Sequence, residues 1–169
     1  SGESSWAVRC NASSGNLHPT ETYLILPPVL NEQDDMTVVT HYAPKNHGLE
    51  ILAMFETSFW DTLSKGSFLI GFSGISWREA WKYGERAFRY VNLDAGHAWQ
   101  SLNVSSKMLG WKLTRLDKVS DSDIATLFGL NQEKRFFENE HADMLFVVSP
   151  DYIDSSLNLD SLIGDVPLV

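Results

Sequence analysis

The period of apolar and polar positions changes several times along the chain, and each change marks an element. Thr22-Tyr23-Leu24-Ile25-Leu26 reads as a strand over 22–27, stopped by Pro27-Pro28, which cannot continue a ladder. Residues 29–36 form a polar connection. Thr37 to Tyr42 and Leu49 to Phe55 read as two strands of a hairpin whose turn contains Gly48. Phe59 to Leu63 reads as a short helix, and 67–72 is apolar enough for a central strand buried on both faces. A helical period runs from Trp77 to Tyr90. A second helix is expected from Asp94 to Leu109, with Asp94 as its N-cap and Gly110 just past its end. Trp111 to Leu116 alternates as an extended segment, and Ser120 opens a short helix that runs through Phe128 to Gly129. After a charged connection at 131–141, Asp143 to Ser149 is a last core strand, and 151–169 is an acidic, patchily apolar arm. Hairpins mixed with a long helix predict an α+β sandwich.

Two helical faces refine this picture. Trp77, Trp81, Gly84 and Phe88 share one sector of the 77–90 wheel, and Arg78, Lys82, Arg86 and Arg89 share the next. Like charges at i,i+4 cost roughly 0.2–0.5 kcal/mol per pair, so the stripe needs either an anionic ligand or neutralisation by acids such as Glu79 and Glu85. Within 94–109 only Asp94 and Lys107 carry a formal charge, and small residues recur. That composition predicts a central helix buried on most sides, in a core or against a second subunit.

The chain has 169 residues, 43% of them hydrophobic, which suits one globular domain with a proper core. A formal charge of −9 argues against general nucleic-acid binding, which needs cations to displace counterions. No run of apolar residues is long enough for a membrane-spanning helix, and the polar N-terminus lacks the layout of a signal peptide. Its abrupt start suggests a fragment of a longer chain. The single Cys10 excludes an internal disulfide framework, and a cytoplasmic location is the expectation. Two Asn-x-Ser sequons, at Asn11 and Asn103, are then chance matches. No G-x-G-x-x-G or P-loop motif is present, so a nucleotide-like cofactor would not be held in the Rossmann manner. His41 and His47 flank a turn, but no third ligand is sensibly spaced, and no metal is expected.

The densest chemistry precedes the first strand. Arg9 to Glu21 (Arg-Cys-Asn-Ala-Ser-Ser-Gly-Asn-Leu-His-Pro-Thr-Glu) holds a cation, several hydroxyls, two carboxamides, an imidazole and a carboxylate. A bare turn needs two or three such residues, and loops held on a rigid strand are where binding chemistry concentrates. A second candidate is the i,i+3 pair Asp94 and His97, in which the carboxylate could orient the imidazole. The plainer reading leaves Asp94 as a cap and His97 at an interface.

Asn-Ala-Ser-Ser-Gly-Asn-Leu-His-Pro-Thr-Glu resembles the Pro-Ser-Ser-x-Asn-x-Gln-Pro signature of FMN-dependent nitroreductases. It is closer to the form found in their SagB-type azoline dehydrogenase branch, with Ala12 where proline is usual. Trp81-Lys82-Tyr83-Gly84-Glu85-Arg86-Ala87-Phe88-Arg89-Tyr90 resembles that branch's Trp-Lys-Tyr-Gly-x-Arg-x-x-Arg-Tyr segment. Leu93-Asp94-Ala95-Gly96-His97 resembles the opening of its central helix, and Tyr42 to Glu50 its hairpin. Three motifs beyond the opening loop, in the right order and together spanning roughly residues 6–130, are more specific than any one of them.

The resemblance implies an α/β/α sandwich in which a mixed, mostly antiparallel sheet surrounds a long buried helix. It further implies FMN held without covalent attachment at the interface of a homodimer or pseudo-dimer. Arg9, Asn11, Ser13, Ser14, Gly15, Asn16 and His18 would be the cofactor-binding residues, with Arg9 on a phosphate or ring carbonyl and the serines and Asn16 on the pyrimidine edge or ribityl chain. Lys82 and Tyr83 would remove a proton while hydride passes between substrate and flavin N5. Tyrosine is a poor base at its ordinary pKa of about 10, but a neighbouring ammonium favours the phenolate. Arg86 and Arg89 are candidates for a substrate or other anion.

The implied substrate is a heterocycle, a nitro or quinone compound, or a modified peptide, with NAD(P)H a candidate reductant. The rivals are a flavin-fragmenting enzyme like the BluB relatives and a non-catalytic half that serves for docking. The family's cationic grips on the FMN phosphate, near each end of the chain, have no counterpart here, since no Lys or Arg follows Arg135. They lie on other residues, come from a partner domain, or have been lost.

Overall fold

A computed structural model describes residues 9–28, 35–132 and 138–167. The N-terminal stretch with Trp6, most of the 29–36 connection, part of 131–141 and the last two residues lie outside the described residues. Six strands form one sheet: β1 (Thr20–Leu26), β2 (Thr37–Ala43), β3 (Gly48–Phe55), β4 (Phe68–Gly74), β5 (Lys112–Arg115) and β6 (His141–Ser149). Their order is β3-β2-β1-β4-β6-β5. Every pairing is antiparallel, so the mixed sheet expected from the resemblance is antiparallel throughout these residues.

Helices cover both faces, as in an α/β/α sandwich. Alternation along β1 sends Glu21, Tyr23 and Ile25 to one side and Thr20, Thr22 and Leu24 to the other. The Tyr23 side packs with Val39, Leu69, Leu145 and Val147 against α3 (Asp121–Phe128) and α4 (Asp160–Asp165). Ser120 caps α3 with a full capping box to Asp123, and Gly129 ends it in the left-handed region. The C-terminal arm is docked through Leu159 and Leu162, both in this core. The opposite face, with Ile70, Phe72, Phe146 and Val148, packs against α2 (Ala87–Met108) through Ala95. β4 is buried on both faces, as its apolar run predicts.

The helical region departs from expectation in three ways. Its break falls at Gly84, between α1 (Trp77–Tyr83) and a 3-10 turn at Gly84–Arg86, rather than ahead of Asp94. Gly84 has φ 56° and ψ −132°, a combination that a side chain disfavours. Asp94 therefore lies inside a 22-residue helix and caps nothing. Finally, α2 is long but not enclosed by the described residues. Of its residues only Ala87, Asp94, Ala95 and Ser106 are buried, while Phe88, Leu93, Val104 and Met108 are exposed. The scarcity of charge is real, but the described residues leave most of the helix uncovered. No helix among the described residues is long and apolar enough to cross a membrane.

Candidate functional site

The polar elbow before β1 is a single 3-10 turn, Ser14–Asn16, in which Gly15 (φ 62°) and Asn16 (φ 59°) are left-handed, followed by His18 (φ 49°). Local bonds hold this unusual backbone. His18 N–H donates to Ser13 Oγ (2.8 Å), and His18 Nε2 is bonded to Asn16 Oδ1 (2.7 Å). A longer tie reaches α2. Ser13 Oγ–H donates to Asp94 Oδ2 (2.6 Å), and Ser14 donates its N–H (3.0 Å) and Oγ–H (3.1 Å) to Asp94 Oδ1. The serine hydroxyls thus point at a buried carboxylate. His97 is exposed, and Asp94 turns to the serines.

Below the elbow, Arg78 clamps the start of β1. Its guanidinium donates to the His18 carbonyl (3.0 Å), to Glu21 and to Glu138. One member of the cationic stripe is therefore neutralised within the chain. Arg86 and Arg89 are exposed, with no ion pair among the described residues, and the break at Gly84 takes them off a common helix with Arg78 and Lys82.

Lys82 and Tyr83, the last two residues of α1, both reach the elbow. A Cβ placed on Gly15 would lie 2.6 Å from Tyr83 Oη and 2.7 Å from Lys82 Nζ. Glycine at position 15 makes room for both polar ends. Neighbours on a regular helix diverge by about 100°, so convergence needs the helix to end where it does. Tyr83 is also packed on Tyr90, with ring centroids 4.6 Å apart.

Beside the elbow, on the α2 side of β1, opens a cleft of about 660 Å³ lined by Arg9, Asn11, Thr20, Thr22, Lys45 and His47. Its volume lies within the usual range for small-molecule and cofactor sites. Three buried polar atoms here lack a partner among the described residues: Arg9 Nε, His18 Nδ1 and Thr20 Oγ1. Such atoms are rare unless a ligand or water meets them. Burial first, and the Arg9 cation second, hold the His18 imidazole below its ordinary pKa.

Of the elbow residues, Arg9 and Asn11 border the cleft, Gly15 meets Lys82 and Tyr83, Ser13 and Ser14 bind Asp94, and Asn16 binds His18. The sequence reading weighed His47 only as a metal ligand and Glu79 only as an acid neutralising the cationic stripe, and it passed over Lys45 as a turn residue. The Glu79 side chain on α1 is fully buried, and neither carboxyl oxygen makes a hydrogen bond among the described residues. Burial first, then the Asp94 carboxylate, push it up to about 7. Its only sequence signal is a lone acid in the middle of a cationic helix.

No known family profile matches the chain, and no curated protein does. Solved structures do. A chain of the E. coli microcin synthetase McbBCD complex with truncated pro-MccB17 bound superposes with a TM-score of 0.69 at 24% identity, over 87% of this chain and 57% of that one. A structure described as a nitroreductase from Anabaena variabilis gives 0.65 at 19% identity, over 89% of this chain and 31% of that one. Another from Ralstonia eutropha gives 0.61 at 12% identity, over 86% and 64%. The fold is nitroreductase-like. The chain spans less than two thirds of the length of each of these structures.

Proposed function

We propose that this chain forms part of an FMN-dependent oxidoreductase of the SagB-type dehydrogenase branch, completed by a second nitroreductase-like domain. One observation carries the reading: Lys82 Nζ and Tyr83 Oη converge on Gly15, in the same elbow whose Arg9 and Asn11 line the cleft. The residues present fit the cofactor. Arg9 and Lys45 offer cations for a phosphate, while Asn11, Thr20 and Thr22 offer hydrogen bonds for a ribityl chain. When bound, FMN would supply a two-electron acceptor for hydride at N5.

The rest of the chemistry belongs to the chain. The Asn16 and Gly15 backbone, fixed by the ties of Ser13 and Ser14 to Asp94, gives the ring a rigid edge to rest on. Tyr83, with the Lys82 ammonium beside it, is the group to take the proton that a substrate loses as its hydride leaves. The E. coli complex holds truncated pro-MccB17, which favours a peptide-derived heterocycle among the substrates considered.

A purified full-length protein should show a visible flavin band, and mass spectrometry should find FMN released on denaturation. Protein that stays colourless after incubation with FMN contradicts the reading. In Tyr83→Phe, the half-reaction that oxidises substrate should slow by about 10²-fold or more, while reoxidation keeps its rate. Rates unchanged from wild type in both half-reactions would remove Tyr83 from the mechanism.

A second reading is favoured by the exposed outer face of α2, where Leu93, Val104 and Met108 lie with the small Gly96. In it this chain is a docking half and its partner does the chemistry. A protein that takes up flavin only in complex, through partner residues alone, would support it.

A further inference from the structure

Glu79 has no role in the site as described, and its position is costly. A carboxyl group with no exposed surface and no hydrogen-bond partner loses several kcal/mol if it ionises. It persists in α1 one turn before Lys82 and Tyr83, and faces the Asp94 carboxylate, which holds the elbow through three donors. Resting on the site proposed above, we propose that Glu79 is a positioning residue. As a neutral carboxylic acid it puts no second charge beside Asp94, so that the two acids carry one negative charge and that charge stays locked on Ser13 and Ser14.

Two buried carboxyl groups at one site cannot both be charged without mutual repulsion. If Glu79 loses its proton, Asp94 is pressed by a like charge and its hold on the elbow weakens. The charged groups that act on Glu79 are Asp94 from α2 and Lys82 from its own helix. From the elbow side, His18 feels Asp94, Arg9, Arg78 and Glu21. Lys82 favours ionisation of Glu79, and burial and Asp94 oppose it more strongly. His18 titrates below its ordinary value and so contributes at the acid end. A Glu79→Gln comparison separates the two, because glutamine keeps the shape and the donor but cannot ionise.

The folded protein holds the Glu79 proton up to about 7 against 4.5 when unfolded, so its contribution to stability is lost as pH rises from about 4.5 to about 7. The experiment uses the full-length protein and two readouts between pH 4.5 and 8.5. One is the thermal midpoint of the apoprotein, and the other is FMN affinity from quenching of flavin fluorescence. Wild type should lose midpoint across that window and bind FMN about tenfold more weakly at pH 8.5 than at pH 5.5. Glu79→Gln should remove the midpoint loss between pH 4.5 and about 6.5, below the limb that His41 contributes, and hold the low-pH FMN affinity throughout. Asp94→Asn, with Glu79 intact, should move the step to lower pH and serves if the Gln variant does not fold. A Gln variant that keeps the wild-type slopes overturns the proposal, as does a step unmoved in Asp94→Asn. If no variant binds FMN, the flavin reading fails while the midpoint profiles still decide the role of Glu79.

Discussion

At position 71 a single missing atom is required. A Cβ on Gly71 would sit 2.3 Å from Phe128 Cζ and 2.9 Å from the Met144 carbonyl. Phe128 in turn stacks on Tyr23, centroids 4.7 Å apart, and can retreat only by giving up that contact. Gly71→Ala should therefore destabilise by about 1–3 kcal/mol, as overpacking does, and Phe128→Leu in the same chain should recover part of the loss in a denaturant titration. Gly15 differs, because the atoms that its Cβ would meet are the flexible ends of Lys82 and Tyr83. Gly15→Ala should cost about 1 kcal/mol of backbone strain but displace the proposed proton acceptor, so turnover should fall much further than stability. The motif letters alone marked Gly15, Lys82 and Tyr83 as site residues. Their meeting was not legible, because sequence distance says nothing about which loop a helix end will touch. Glu79 was missed for a related reason. A charged residue reads as surface until its neighbours are known.

At the scale of elements, strands were the most legible and the long helix the least. Short apolar runs bounded by proline or glycine fix strands with little ambiguity, whereas Gly84 sat within an unbroken helical period and looked like one more small residue on its face. Only its positive φ reveals the break. Gly84→Ala meets no steric obstacle but cannot hold that backbone cheaply. A loss of about 1–3 kcal/mol is expected, together with a changed Lys82–Tyr83 geometry visible as weakened flavin binding. The β1–β2–β3 side has its own device. His41 stands between Glu21 and Glu50, one ring nitrogen 3.0 Å from each, and chiefly the Glu21 bond raises it to about 8. A histidine raised on folding stabilises fully below about 6.5 and loses that contribution as pH rises through about 8. His41→Asn should remove about 1–2 kcal/mol at pH 6 and little at pH 9, a limb that begins where the window of Glu79 is closing.

For the whole molecule, the two faces of the sheet are not equally finished. The face under α3 and α4 is closed by a continuous core from Tyr23 to Leu162. The other has a small core under α2, and α2 turns Leu93, Val104, Met108 and two cations, Arg89 and Lys107, outward. Low charge in the sequence predicted a helix buried on most sides, whereas among the described residues only Ala87, Asp94, Ala95 and Ser106 are buried, since a scarcity of charge does not by itself supply a packing surface. An exposed site can be changed without disturbing the fold that carries it. Val104→Glu should leave the thermal midpoint within about 0.5 kcal/mol of wild type, because Val104 is 46% exposed. If a second nitroreductase-like domain rests on that face and completes the cleft, the same substitution should split the assembly and release flavin. Native mass spectrometry reads both quantities in one spectrum. A Val104→Glu protein that keeps its subunit number and its FMN would mean that the partner docks elsewhere, and that the cleft beside Arg9 is sufficient on its own.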